Sequence, residues 1–209
     1  MKFYDCSTAP SPRRARMFIA EKGLRIETQD ISLARREQLS DAFLAINPSA
    51  TVPVLITDTG TTLTENIAIA AYLEAAHPTP PLMGTDPESK ALVLMWNAIA
   101  EQQGGAPIAE ALRNSNPHMK DRALPGPMDL EQIPALAERG FKRVAAFFDL
   151  LEDRLGQSPY LAGDDLSLAD ITAYVFVDFA RVIKQRIPEG NSATQAWFDA
   201  IGARPSAQL

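Results

Sequence analysis

Cysteine and histidine are scarce in this sequence. Its 209 residues include one cysteine, Cys6, and two histidines, His77 and His118. A single cysteine excludes a disulfide within the chain, and so few sulfur and imidazole groups cannot form a Cys/His zinc cluster. No apolar run approaches the roughly 18 residues of a membrane span, and the first residues lack the pattern of a secretory signal. We therefore expect a metal-free cytoplasmic protein with no membrane association.

An excess of basic residues is also missing. The chain has 20 Lys and Arg against 26 Asp and Glu, a net charge of -6. Binding to phosphate backbones requires a basic surface, so nucleic acid is not an expected partner. The hydrophobic share of 46% and the charged share of 22% are ordinary for a soluble protein that builds a sizeable core.

The first 31 residues have the pattern of a β-α-β unit. Lys2 to Asp5 predicts a short strand, and Leu24 to Ile31 alternates apolar and polar residues as a second strand does. Between them, Ser11 followed by Pro12 is typical of a helix N-cap and first helical residue, and Gly23 predicts the helix end. Strands joined by such a crossover pair in parallel.

A Val-Pro sequence marks the entrance of the next strand. Pro53 cannot donate a backbone hydrogen bond, so it either begins an edge strand or follows a cis bond that presents the Val52 backbone to a peptide-like ligand. Around it we predict a short helix at 40–46, a hairpin formed by 53–57 and 61–64, and a helix at 65–76. The order β-α-β-α-β-β-α is that of a thioredoxin-like domain, and we assign it to residues 1–80.

Strand patterns disappear after the proline-rich connector His77 to Pro81. We predict an all-helical bundle at 87–209, beginning with a long helix that Asp86 and Pro87 open and that Gly104, Gly105 and Pro107 kink or break. A loop is expected at 116–127. Ser167 and Asp170 form a capping-box variant before a buried apolar helix at 171–179. The other predicted helices are 133–155 and 194–201.

Three motifs together resemble the glutathione transferase family over essentially the whole chain. They are Asn47-Pro-x-x-x-Val52-Pro53-Val-Leu, then Thr64-Glu65-Asn66, then Gly163-Asp-x-x-Ser167-x-Ala-Asp170. The resemblance implies a thioredoxin-like domain that binds glutathione, a helical domain that supplies the pocket for an apolar electrophile, and a homodimer. The loop at 9–16 and the stretch at 112–117 look most like an atypical fungal and bacterial branch without the usual catalytic Ser, Cys or Tyr.

The resemblance also implies the glutathione contacts. The Val52 backbone, followed by a cis Pro53, would pair with the cysteinyl unit, and Glu65 and Asn66 at a helix start would hold the γ-glutamyl end. For Glu65, simple stabilisation of the helix start is the alternative. Arg35, Arg36 and Gln38 follow the second strand, where the family often contacts the glycyl carboxylate, although a solvated basic face is the more common role for any one of them.

Activation of the thiol is the step that the sequence explains least. The position of the family's Ser or Cys is held by Ala9, which has no donor. Ser11, two residues further, can serve as the donor to the sulfur or only as an N-cap. In the helical half, Asn114 with Arg113 and Asn116 can orient a water or contact the sulfur, and a surface role fits them as well. A lone strand-end cysteine such as Cys6 is typically inert.

These expectations define one main function and two alternatives. The main one is a detoxifying transferase that joins the glutathione thiolate to an electrophilic, mostly apolar substrate. The first alternative is a glutathione-binding or ligand-carrier protein of the same fold without catalysis, which Ala9 supports. The second is a glutathione-dependent thiol or peroxide reductase that uses Cys6, although the sequence has no Cys-x-x-Cys motif.

Overall fold

The computed structural model describes residues 1–209. The chain divides into two compact units. The first comprises Met1–Pro80, Pro125–Met128 and Leu209, and the second comprises Pro81–Leu124 and Asp129–Gln208. The first contains the only sheet and the second is helical, which confirms the predicted combination of an α/β half and an all-α half.

The sheet has four strands in the order β2-β1-β3-β4. They are β1 (Lys2–Asp5), β2 (Glu27–Asp30), β3 (Val54–Ile56) and β4 (Thr62–Leu63). β1 and β2 are parallel, whereas β3 runs antiparallel to both β1 and β4. The predicted β-α-β unit and hairpin are therefore confirmed.

The second strand is shorter than the predicted 24–31. Leu24 does not belong to it, because the Leu24 N–H donates to Ile19 O and the Gly23 N–H donates to Ala20 O. Gly23 has a φ of 66°, the left-handed conformation that closes many helix ends. These bonds end the helix, and the chain becomes extended only at Glu27.

Three helices complete the first unit: α1 (Pro10–Glu21), α2 (Asp41–Leu44) and α3 (Asn66–Ala76). α1 and α3 pack together, and their buried side chains include Phe18 and Leu73. Lys22 joins their ends, since its buried Nζ pairs with Glu74 and donates to the backbone carbonyls of His77 and Pro80. These contacts fix the end of α3 and the start of the connector.

The second unit contains five α-helices. They are α4 (Pro87–Ile99), α5 (Ala106–Ser115), α6 (Pro134–Leu155), α7 (Leu168–Phe179) and α8 (Ser192–Gly202). Most of their boundaries lie within a few residues of the predicted ones. α7 begins directly after Ser167, the predicted N-cap, three residues before the predicted start at 171.

At the predicted kink or break near Gly104, the structure has a wide helical turn. Residues Ala100–Gly105 are π-helical and continue without interruption from α4 into α5. A Cβ at Gly104 would lie 2.6 Å from the Phe147 ring, and one at Gly105 would lie 2.4 Å from the Phe176 ring. The glycines are thus required for close helix packing. The wide turn continues the helix through a segment with two poor helix formers.

α7 is buried along most of its length, as its apolar sequence predicts. Its capping box is also confirmed, because Ser167 and Asp170 exchange hydrogen bonds at the helix start. The Asp170 carboxylate also accepts from the Leu161 N–H at 2.8 Å and the Trp197 Nε1–H at 3.1 Å. No helix in the chain combines the length and the hydropathy needed to cross a membrane.

Candidate functional site

The start of β3 and the end of β1 lie side by side in the first unit. Tyr4 is opposite Val54 in the register of the two strands, and the Val52–Pro53 peptide bond is cis. Val52 belongs to a buried cluster that includes Cys6, and Ala9 packs against that cluster. The loop leading to α1 is therefore close to the Val-Pro motif.

Val52 has an unused pair of backbone hydrogen-bonding groups. Thr51 O accepts from Asn47 Nδ2 at 2.8 Å, whereas neither the N–H nor the C=O of Val52 has a partner within the chain. A peptide can pair with such groups by adding to the sheet edge. This arrangement is the one expected if the cis bond presents the Val52 backbone to a peptide-like ligand.

The start of α3 presents a second set of free donors. Glu65 is the N-cap residue, with an exposed side chain that makes no capping bond, and the first turn contains no acidic side chain. The first N–H groups of a helix lack partners within it and carry the positive end of the dipole, so they favour an anion. An exposed carboxylate such as that of Glu65 can pair with an ammonium group.

Asn66, the first residue of α3, contacts the start of α1. Its Nδ2 donates to Ser11 Oγ at 2.9 Å. Asn66 is only 7% exposed, and its Oδ1 is buried without a hydrogen-bond partner. The structure thus brings together two predicted site residues that are 55 positions apart.

The predicted N-cap role of Ser11 is wrong. α1 begins at Pro10 with Ala9 as its N-cap residue, so Ser11 lies inside the first turn. Proline is favoured at the first helical position, which Pro10 occupies, whereas Pro12 is the third helical residue. The sequence pattern fits a helix start at either Pro10 or Pro12. The correction leaves the Ser11 hydroxyl available for a role other than capping.

Gln38 and the neighbouring arginines differ in exposure. Gln38 is 7% exposed within the short 3-10 helix Glu37–Leu39, and its Oε1 is buried without a partner. Arg36 is exposed with a φ of 59°, and Arg35 pairs with Glu37. No hydrogen bond links Gln38 or Arg36 to Val52 or Asn66. Of the predicted pair, Gln38 is therefore the buried residue and Arg36 the exposed one.

The sequence did not reveal a partly buried ion pair at the end of β1, before the loop at 6–9. Arg16 Nη1 lies 2.7 Å from both carboxylate oxygens of Asp5, and Asp5 Oδ1 accepts from the Cys6 N–H at 2.7 Å. Charge-assisted bonds of this kind are stronger than neutral ones. The pair anchors the end of β1, from which the loop leads to Ser11. An acidic residue at the end of a strand, followed by an arginine on the next helix, is the sequence pattern that could have indicated this pair.

Cys6 is a core residue. It is 3% exposed, lies in the cluster of Tyr4, Phe43 and Val54, and its Sγ is 3.5 Å from Thr8 Oγ1. Reactive cysteines typically lie in accessible, electropositive surroundings. The structure supports an inert packing role for this thiol.

Asn114 has a structural role in the second unit. Its side chain is 6% exposed, Oδ1 accepts from the Ile133 N–H at 2.9 Å, and Nδ2 donates to Glu110 O at 2.9 Å. The bond from Ile133 joins the end of α5 to the start of α6, and the bond to Glu110 lies within α5. An amide engaged at both ends is poorly suited to orienting a water or contacting a sulfur, so the geometry does not favour the predicted catalytic role.

The neighbours of Asn114 stabilise the same connection. Arg113 Nη1 donates to Arg122 O at 2.7 Å, while burial, helped by the nearby Arg122 charge, lowers the pKa of Arg113. Asn116 Oδ1 accepts from the His118 N–H, and Gln132 Nε2 donates to the carbonyls of Arg113 and Asn116. The polar residues in this stretch thus hold a long loop against its flanking helices.

Both halves of the chain match glutathione S-transferase family models. Residues 8–76 match the N-terminal domain and residues 134–200 match the C-terminal domain. Glutathione S-transferase 2 of Saccharomyces cerevisiae is 34% identical over 209 residues, which are 99% of this chain and 87% of the yeast protein. The chain therefore belongs to the glutathione S-transferase family.

The solved structures identify a branch within that family. Gtt2 from Saccharomyces cerevisiae superposes with a TM-score of 0.90 at 32% identity, covering 100% of this chain and 99% of that one. A class Gtt2 glutathione S-transferase of Vibrio parahaemolyticus gives 0.83 at 30% identity, with coverage of 100% and 96%. The chain is thus a Gtt2-like member of the family.

Proposed function

We propose that this protein is a transferase that binds glutathione as co-substrate and joins its thiolate to an electrophilic, mostly apolar molecule. The observation that carries the proposal is the unused N–H and C=O of Val52 beside the cis peptide bond. These groups pair with the cysteinyl unit of the tripeptide and set the position of its thiol.

The ends of glutathione have separate receptors in this proposal. The γ-glutamyl carboxylate binds the free N–H groups at the start of α3, and its ammonium group is received by Glu65 and by Asn66 Oδ1. The glycyl carboxylate is received by Gln38, through its amide N–H groups, and by Arg36. The buried unpaired Oδ1 of Asn66 supports the contact with the ammonium group, which is a donor.

Ser11 is the proposed donor to the sulfur. A thiol with pKa near 8.5 is mostly protonated at pH 7, and a hydrogen bond donated to the thiolate lowers that pKa. Ala9 offers no side-chain donor, and Pro10 and Pro12 have no N–H. Ser11 is therefore the residue of this turn with a hydroxyl and an N–H to offer.

Two measurements test the function. Isothermal titration with glutathione should show binding, and an activated aryl halide should be conjugated in its presence. Failure to bind glutathione at millimolar concentration would contradict the proposal. Ser11→Ala should retain binding and lose most of the conjugation rate, whereas Ser7→Ala, at an exposed loop position, should retain both.

A glutathione-binding protein without catalysis remains a second candidate, because Ala9 and two prolines remove donors from the start of α1. It differs from the transferase in one measurable property. Glutathione would bind, but its thiol would keep its ordinary pKa. The reductase alternative is disfavoured because Cys6 is buried, and Cys6→Ala should leave the activity intact.

The proposed organisation follows the family. A glutathione-binding domain occupies 1–80 and a helical domain occupies 87–209. We also propose a cytoplasmic homodimer that acts in detoxification. Leu94 and Met95, adjacent on α4 and 45% and 46% exposed, are the apolar residues that support self-association. Light scattering coupled to size-exclusion chromatography should give twice the mass of the chain, and a monomer would contradict the assembly.

A further inference from the structure

Asn66 and Ser11 connect the two helix starts of the candidate glutathione site. The Asn66 amide donates through Nδ2 to Ser11 Oγ at 2.9 Å, and both residues are at least partly shielded from water. The bond joins the residue proposed to receive the γ-glutamyl end to the residue proposed to face the sulfur. It suggests that recognition of one end of the tripeptide supports chemistry at its centre.

The direction of this bond determines what the hydroxyl can do. A serine hydroxyl carries one proton and two lone pairs. When Asn66 Nδ2 donates to a lone pair, the proton of Ser11 stays available for another acceptor, and the incoming bond polarises the O–H group. A partner that could only accept would instead consume that proton.

The first turn of α1 has few hydrogen-bond donors other than the Ser11 hydroxyl. Pro10 and Pro12 have no backbone N–H, and the Arg13 N–H already donates to Ala9 O at 3.4 Å. Ser11 supplies the remaining N–H of that turn and its only hydroxyl. An ordinary helix start offers several N–H groups to an anion. Here the orientation of one hydroxyl must compensate for their loss.

The other end of the Asn66 amide points to a ligand. Its Oδ1 is buried without a partner, an unfavourable state that a bound donor relieves. The ammonium group of the γ-glutamyl unit is such a donor and has no acceptor capacity. It can pair only with Oδ1, so ligand binding holds the amide in the orientation that directs Nδ2 to Ser11.

We infer that Asn66 is a positioning residue for thiol activation: it orients the Ser11 hydroxyl so that its proton points to the sulfur of bound glutathione. This inference rests on the proposed function and adds a coupling between γ-glutamyl recognition and the thiolate. Asn66 acts through Ser11, and the thiol proton leaves to solvent rather than to either side chain.

The test is a double-mutant cycle read on the thiol of bound glutathione. Ultraviolet absorbance of the thiolate against pH gives the thiol pKa in wild type, Asn66→Ala, Ser11→Ala and the double variant, and titration calorimetry gives each affinity. We expect each single substitution to raise the thiol pKa by about 0.5–1 unit, the effect of one lost hydrogen bond. The double variant should show no more than the effect of Ser11→Ala alone.

Two further variants keep the test decisive. Asn66→Leu is close to isosteric and replaces Asn66→Ala if that variant does not fold. Ser7→Ala is the matched control, because it removes a hydroxyl from the exposed loop before α1 without changing Asn66 or Ser11. It should leave both the glutathione affinity and the thiol pKa unchanged.

The outcomes separate this inference from the proposed function. If Asn66→Ala and Asn66→Leu weaken binding but leave the thiol pKa unchanged, Asn66 is only a binding residue and the inference is wrong. Additive shifts in the double variant would also overturn it, because they would show that Asn66 does not act through Ser11. If wild type itself binds no glutathione, the proposed function fails first.

Discussion

Replacing Asp170 by alanine should destabilise the protein strongly. The Asp170 carboxylate is fully buried and accepts four hydrogen bonds, from Leu161 N, Ser167 N, Ser167 Oγ and Trp197 Nε1. Three of these donors are fixed N–H groups that cannot turn to other partners. Each buried donor left unpaired costs about 1–3 kcal/mol.

The net effect is smaller than the sum of the lost bonds. Burial raises the pKa of Asp170 despite its hydrogen bonds, so removing the carboxylate also removes a desolvation penalty. Deleting one partner from a buried charged network typically costs about 3–5 kcal/mol, and we expect this range for Asp170→Ala. Such a loss is a large fraction of a typical folding free energy of about 5–15 kcal/mol.

Urea denaturation followed by circular dichroism measures this loss, and the fluorescence of Trp197 reports on the same site. Asp165→Ala is the control, because Asp165 is exposed and its loss should change the unfolding free energy by less than about 0.5 kcal/mol. Asp170→Asn should also destabilise, since an amide has one acceptor oxygen for donors that now share two. A loss below about 1 kcal/mol for Asp170→Ala would refute this reasoning.

Two other predictions concern packing and pH. Gly140→Ala should cost about 1–3 kcal/mol of unfolding free energy in urea, because its Cβ would lie 2.7 Å from Pro107 O and 2.8 Å from Ala111 N. Gly190→Ala, with no atom within 4 Å, should be near neutral, and equal effects would contradict the packing argument. Burial of Glu152 is outweighed by hydrogen bonds from Thr194 and Ala193, which hold its pKa below the ordinary 4.5. The Glu152 carboxylate should therefore stabilise the fold above pH 4.5, and this stabilisation should disappear as pH falls through the lower folded pKa. The unfolding free energies of wild type and Glu152→Gln should then converge in acid. A difference that stays constant with pH would show that the carboxylate is not involved.

The sequence predicted the elements whose signals are local. The hairpin at 53–64 and the capping box of Ser167 and Asp170 depend on neighbouring residues, and both are confirmed. Where two local signals competed, the prediction was wrong. Pro10 and Pro12 can each open a helix, and the sequence alone favoured Ser11 as N-cap, although the helix begins earlier at Pro10.

Contacts between distant residues could not be predicted in the same way. Nothing near Ser11 indicates a bond with Asn66, because side-chain directions depend on how α1 and α3 pack. Asn114 illustrates the opposite case. Its type and position suggested chemistry, but its amide bonds to the Glu110 carbonyl of its own helix and to the Ile133 N–H at the start of α6. A polar residue type alone does not distinguish a ligand from a structural bond.

The thiol pKa of glutathione bound to the wild-type protein tests the central claim most directly. Titration of the thiolate absorbance in the complex should give a midpoint at least about one unit below the value near 8.5 of an unperturbed thiol. Such a shift would show that the protein both binds glutathione and activates it. Absence of binding, or a bound thiol that titrates as it does in free solution, would contradict a glutathione-activating function.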